Sequence, residues 1–321
     1  MWKEKNESCY RDFILLGLLD PNHYGMLFLT FILIIFMVAI MGNTVLILLI
    51  RIDIRLHTPM YFFLSHLSIM DILHMCNIIP QMAYNYISGR KSITFAGCGF
   101  QIFLYSSFVG TECVILAAMS YDRYVAICYP LRYPFFMNHR ISVILASGCW
   151  FGGIINSSIH IVYILNLPFC GSRIIDHFFC EIPALLKLSC VDTSQYERGL
   201  NVSGVFFILI PLLIILASYG HILRTVLHIK SMEAQKKAFS TCSSHLAVVI
   251  LYYGSFIFTY MRPRSYHTPG QDKILAITYT ILTPMLNPII YSFRNKDVVC
   301  ALKKVLGRTL ICRKENLFKI Y

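Results

Sequence analysis

Charge is what this sequence has least of. Asp, Glu, Lys and Arg make up 14% of its 321 residues, where a typical soluble chain carries about 25%. So little charge cannot cover a soluble surface of this size, and 57% of the residues are hydrophobic. A disordered chain and a coiled coil are thereby excluded, and no nucleic-acid partner is expected. Enzyme signatures are missing as well. There is no phosphate-binding loop, no triad pattern and no C-x-x-C or H-E-x-x-H, so neither catalysis nor zinc is expected. Internal repeats are absent too, which argues against a transporter built from inverted halves.

What is present is a set of long charge-free stretches. They run Pro21–Ile50, Ser92–Thr111, Ile141–Ser172, Gly199–Leu223, Ala238–Met261 and Ile274–Phe293. A seventh, Leu56–Gly89, is broken only by Asp71, and Ser92–Thr111 resumes from Cys113 to Tyr121 after a lone Glu112. A bilayer core needs about 20 apolar residues as helix. The expected fold is therefore an all-α membrane protein, a bundle of seven transmembrane helices. The domain division is a tail over 1–25, a membrane domain over 26–293 and a second tail over 294–321. The first span is too long for a cleaved signal and reads as a signal-anchor.

Lys and Arg set the orientation. Alternate loops place 17 on one side and 11 on the other. The richer side is cytoplasmic by the positive-inside rule, so the N-terminus is extracellular. The formal charge of +12 mostly reports this asymmetry. Asn6-Glu7-Ser8 is then a glycosylation sequon in the outer tail. Cys98, Cys170, Cys180 and Cys190 fall on the oxidising side, where disulfides form. Four cysteines allow three pairings, and spacing does not choose among them. After Asn295, Val298, Val299, Leu302, Val305 and Leu306 alternate with Lys303, Lys304 and Arg308. That pattern suits a short amphipathic eighth helix on the lipids of the inner leaflet.

Helix three can be read by geometry. Tyr105, Val109, Glu112 and Arg123 fall within about 60° of one another at 100° per residue, and Tyr105 to Arg123 spans about 27 Å. One face thus runs from the outer end, past a buried acid, to the cytoplasm, a layout that suits a relay and equally suits plain bundle packing. Asp71 and Glu112 are the two formal charges placed at mid-membrane, where charge is costly and by default functional. They read either as holding an ion or as a hydrogen-bonded pair sharing a proton.

Four motifs narrow the class. Leu56-His57-Thr58-Pro59-Met60-Tyr61-Phe62-Phe63-Leu64-Ser65 enters helix two, and Met119-Ser120-Tyr121-Asp122-Arg123-Tyr124-Val125-Ala126-Ile127-Cys128 ends helix three. Lys237-Ala238-Phe239-Ser240-Thr241-Cys242-Ser243-Ser244-His245 opens helix six. Pro284-Met285-Leu286-Asn287-Pro288-Ile289-Ile290-Tyr291-Ser292-Phe293-Arg294-Asn295 closes helix seven. In this order and spacing, over about residues 10–308, the chain closely resembles the olfactory receptors, G-protein-coupled receptors of the tetrapod class that recognises airborne odorants. Ser120, His66 and Ala247 depart from the residues common there (Ala, Asn and Thr).

The resemblance implies a plasma-membrane receptor that binds a small volatile and drives a stimulatory olfactory-type heterotrimeric G protein to raise cyclic AMP, with a trafficking chaperone as a further candidate partner. It implies disulfides Cys98–Cys180 and Cys170–Cys190. The implied pocket is Tyr105, Ser106, Val109, Gly110, Ser203, Phe207, Phe256, Tyr260, Ile277 and Thr280. Ser203 and Phe207 lie four apart on one face, and the hydroxyl and aromatic mix suits a neutral ligand. The implied switch is Asp122, Arg123, Tyr124, Tyr219, Tyr253, Asn287, Pro288 and Tyr291. Arg123 pairs with Asp122 at rest, and Tyr253 is the toggle where related receptors carry tryptophan. No cofactor is implied beyond a sodium ion at Asp71 and Glu112, with Asn43 and Asn287 nearby. A light receptor would need a Schiff-base lysine in helix seven, and Ile274–Phe293 holds none. An amine receptor would need an acid near Tyr105, and that too is missing.

Overall fold

A computed structural model describes residues 12–18, 23–170, 172–260, 268–293 and 296–305. Among these, seven helices are long and apolar enough to cross a membrane. They are α1 (His23–Ile52), α2 (Pro59–Ser88), α3 (Phe95–Cys128), α4 (His139–Leu165), α5 (Ser194–Leu227), α6 (Met232–Tyr260) and α7, which runs through Pro269–Ile277, Thr278–Leu282 and Thr283–Phe293. A short helix α8 (Lys296–Val305) follows. Each charge-free stretch falls on one span, so the seven-helix bundle expected from the sequence is the fold.

Helix ends follow local chemistry. Thr94 Oγ1 accepts from the Gly97 amide at 3.0 Å to cap α3, and Asn138 Oδ1 accepts from the Ile141 amide at 3.0 Å to cap α4. Pro59 opens α2, where its missing N–H costs nothing. Gly89 closes it at φ 67°, a left-handed turn that glycine adopts without strain. Two helices change pitch midway. Val205–Leu209 in α5 and Thr278–Leu282 in α7 are π-helical.

The core lies along α3. Of its most apolar window, 67% is buried in the bundle, against 11% for α5. α3 is therefore the central pillar, and α5 turns its aliphatic side chains toward lipid. Dispersion and close packing, not water exclusion, hold such helices together.

The outer end carries a small sheet that the hydropathy pattern does not announce. β1 (Phe13–Leu15) lies between β2 (Ser92–Ile93) and β3 (Ile174–Ile175), antiparallel to the first and parallel to the second. Phe13 and Leu15 point inward and Ile14 outward, the period-two alternation of a strand with one buried face. Two disulfides, Cys98–Cys180 and Cys170–Cys190, tie the long loop after α4 to α3 and to itself. At the inner end Asp53 accepts from Arg55, which holds the Asp53 carboxyl down to about 2. α8 buries Val298 and Ala301 and exposes Lys303 and Lys304, the expected amphipathic division.

Candidate functional site

At the outer end of the bundle five rings form a ladder. Phe179, from the loop after α4, sits 5.3 Å from Tyr105 on α3. Tyr105 lies 6.4 Å from Tyr279 on α7, Tyr279 lies 5.1 Å from Phe256 on α6, and Phe256 lies 4.9 Å from Tyr252. Tyr105 and Phe256 are thus brought together as the pocket set requires, but through Tyr279. Thr280 is fully buried and donates to Ala276 O at 2.6 Å. Ser106, Val109 and Ile277 are half-buried.

The loop forms a lid over this ladder. Its Asp176 pairs with Lys273 of α7 at 2.7 Å. Buried His177 stands 3.7 Å from the Glu181 carboxylate, and the Tyr279 hydroxyl lies 3.5 Å from both Glu181 oxygens. Burial, reinforced by Lys273, lowers His177 to about 3 and outweighs the opposing pull of the Phe179 backbone and the Asp176 carboxylate. The lid therefore adds an acid to surroundings that the sequence reading expected to be uncharged. Below it, His74 on α2 is buried against the Tyr105 ring at 5.3 Å, and neither of its nitrogens has a hydrogen-bond partner among the described residues.

On α5, Ser203 and Phe207 share a face that meets α4 and, at Phe207, also Gly110 of the implied pocket on α3. Ser203 donates to Asn156 Oδ1 at 2.8 Å and lies 3.2 Å from His160 Nε2. Phe207 fills a groove made by glycines: a Cβ on Gly110 would stand 3.3 Å from its ring, and one on Gly152 3.7 Å. The Tyr260 side chain and Asn6 lie outside the described residues.

Lower down, α6 is pinned to α3 by two phenols. Tyr252 donates to Val109 O and Tyr253 to Cys113 O, each at 3.0 Å and one turn apart along α3. At this depth Asn287 Nδ2 donates to both Asp71 oxygens at 3.2 and 3.0 Å, and Asn43 Nδ2 bridges Ala39 O and Pro284 O. Pro288 lies inside α7, and Gly42 gives it room, since a Cβ there would stand 3.2 Å from the proline ring. Three buried oxygens of this layer have no hydrogen-bond partner among the described residues: Asn43 Oδ1, Glu112 Oε1 and Asn287 Oδ1. Oxygen donors around a carboxylate are the set that suits a hard cation.

At the cytoplasmic end the resting Arg123–Asp122 pair is not formed. Among the described residues no ion pair within 4.0 Å joins them; Asp122 instead accepts from Tyr133 at 2.7 Å. Burial and the adjacent carboxylate push the Tyr133 phenol up, so it stays protonated and donates. Two neighbouring side chains of α3 project about 100° apart, so while the acid reaches the short helix Tyr133–Phe136, Arg123 leaves α3 on a different side. Tyr219 lies 2.8 Å from His245 Nδ1, linking α5 to α6, and Tyr291 is buried, its hydroxyl without a hydrogen-bond partner among the described residues. Tyr124 contacts Tyr129 and His221 near the membrane surface. Of the three unusual residues, His66 accepts from Trp150 Nε1 at 3.2 Å, and Ser120 satisfies its hydroxyl on Ala117 O at 2.7 Å.

His74, Phe179, Glu181, Tyr252, Tyr279 and His245 were not singled out as site residues in the sequence. His245 ends the motif that opens helix six, and Tyr252 adjoins Tyr253. Tyr279 was hidden by the π segment, whose extra residue rotates the faces of α7.

Known proteins resemble this chain along nearly its whole length. A family model described as "Olfactory receptor" matches residues 32–309. Olfactory receptor 2AJ1 of Homo sapiens is 60% identical over 312 residues, covering 97% of this chain and 95% of the relative. Olfactory receptor 2V1 of Mus musculus is 52% identical over 303 residues, covering 94% and 96%. Olfactory receptor 2L3 of Homo sapiens is 50% identical over 297 residues, covering 92% and 95%.

Proposed function

The chain belongs to the olfactory receptor family, and from that premise we propose that it answers a small neutral volatile by driving a stimulatory olfactory-type G protein and raising cyclic AMP. As a member of the family it is a multi-pass plasma-membrane receptor that senses odorants through a G protein, and it is not an enzyme. The observation that carries the finer reading is the ring ladder. It runs unbroken from the lid at Phe179 to Tyr252, next to the Tyr253 bond that fastens α6 to α3.

A ligand under the lid displaces rings of the ladder, and the displacement reaches Tyr252 and Tyr253. Loosening their bonds to Val109 O and Cys113 O frees the outer half of α6. Its inner half, held through Tyr219 and His245, then moves from Arg123, which stays charged in any environment and meets the G protein. Such a ligand shifts a pre-existing equilibrium by its preference for the freed state. His74 supplies a polar anchor that can donate from one nitrogen and accept at the other. Sodium fits the middle layer: Asp71, Glu112, Asn43 and Asn287 would hold it, and the ion would supply positive charge that compensates the buried carboxylates.

The test is a cyclic-AMP reporter in cells that co-express a trafficking chaperone and the olfactory G protein, screened with neutral odorants. A dose-dependent rise that Arg123→Ala abolishes at equal surface staining is expected. Best agonism by a charged amine or carboxylate would refute the neutral-ligand reading. Raising sodium is expected to lower agonist potency in the wild type and not in Asp71→Asn; equal potency in both would remove the ion.

A further inference from the structure

A separate cavity of about 120 Å³ lies at the outer end, away from the ring ladder. Leu29 and Ile32 of α1 and Met82 and Asn85 of α2 form its walls, Gly17 its roof, and Phe178 of the lid its inner side. The roof is fastened by backbone bonds from Leu16 N to Ile175 O at 3.0 Å and from Gly17 N to His177 O at 3.1 Å. Gly17 turns there with φ 86°, a conformation that a side chain would strain.

The lining is mostly apolar, and of its polar side chains Asn85, Tyr86 and Lys91 only Asn85 is buried. Asn85 is buried, and its Oδ1 accepts from Gln81 Nε2 at 2.9 Å. The opposite end, Nδ2, is buried and has no hydrogen-bond partner among the described residues. A buried donor left unpaired is costly, and native structures rarely keep one without a use. The volume is close to that of a roughly 150 Å³ apolar cavity, which admits benzene.

We propose that this cavity is a second small-molecule site, selective for a neutral, mostly apolar molecule of about six heavy atoms whose single acceptor oxygen takes the Asn85 Nδ2 hydrogen. Phe178 separates this site from the first: its ring lies 5.0 Å from Phe179, the top rung of the ladder. An occupant here therefore presses on the lid from the side opposite the ligand of the receptor site. The proposal stands on the cavity alone and does not depend on which ligand or G protein the receptor uses.

The test uses the full chain in lipid nanodiscs with methionine ε-methyl carbon-13 labels, since Met82 lines the cavity and reports directly. Cyclopentanone is the probe, and cyclopentane, of the same shape without the oxygen, is the control. A saturable shift of the Met82 signal is expected with cyclopentanone, at an affinity about tenfold above cyclopentane, the worth of one hydrogen bond to a buried amide. Asn85→Leu should erase the difference between the two probes, and Leu29→Phe, which fills the space, should remove the Met82 response to both. Gly148→Ala, on α4 with open space around its Cβ, should change neither. Equal affinity for both probes in the wild type, no saturable Met82 shift, or a shift surviving Leu29→Phe would each overturn the proposal. The wild-type comparison of the two probes decides the matter even if a variant fails to fold.

Discussion

Tyr253 differs from phenylalanine by one hydroxyl, and that hydroxyl is half of what fastens α6 to α3. Its loss in Tyr253→Phe leaves the ring packed and removes the bond to Cys113 O. Ligand-free cyclic AMP is expected to rise by up to about fivefold, the equilibrium worth of about 1 kcal/mol. His177 gives a pH dependence at the same scale. Its ordinary value is 6.5 and its folded value about 3, so the folded lid binds fewer protons than the unfolded one across that window. Its stabilising effect is therefore complete above 6.5 and is lost as pH falls toward 3. Hydrogen-exchange protection factors over residues 174–182 should drop between pH 7 and pH 4, and His177→Phe should flatten the curve. Single residues were legible where one chemical fact sufficed, as with the two acids placed at mid-membrane and Arg123 at the end of α3. Asp122 was not, because its partner Tyr133 comes from a four-residue helix too short to show a period.

Elements succeed or fail by their pitch and by which neighbour they meet. α3 obeys the 3.6-residue turn throughout, and Tyr105 and Glu112 are buried as its face predicts. α5 and α7 each contain a π turn, and the residues past it face a different way from the one the regular period gives. Hence Tyr279 escaped notice beside Thr280. Ser203 and Phe207 illustrate a second limit: periodicity says that two residues share a face, not which helix that face meets. The contact between α3 and α4 is the closest of these. A Cβ on Gly153 would stand 2.7 Å from Ser107 O and would also strike Thr111 Oγ1. Gly153→Ala is accordingly expected to cost about 1–3 kcal/mol through overpacking, read as a lower unfolding temperature in nanodiscs. Gly148→Ala, with open space around its Cβ, is the matched control that should change little.

Across the whole molecule the bundle was readable from composition, and the outer cap was not, because three strands of two or three residues carry no hydropathy signature. The two disulfides should contribute unequally. Cys98–Cys180 spans 82 residues and Cys170–Cys190 spans 20, and the chain-entropy estimate favours the longer closure by about 1 kcal/mol. Cys180→Ser should thus reduce surface staining more than Cys190→Ser; the reverse order would mean that strain or loop structure outweighs entropy. The sheet has one more implication. β1 pairs Phe13 with Ile93 and Ile14 with Ile174, so one of its edges meets a partner once two spans are threaded through the membrane and the other only after four. Cap completion is therefore a late event in biogenesis, and a receptor whose insertion stalls before α4 shows an open strand edge to the lumen, a mark by which quality control can tell the unfinished chain from the finished one.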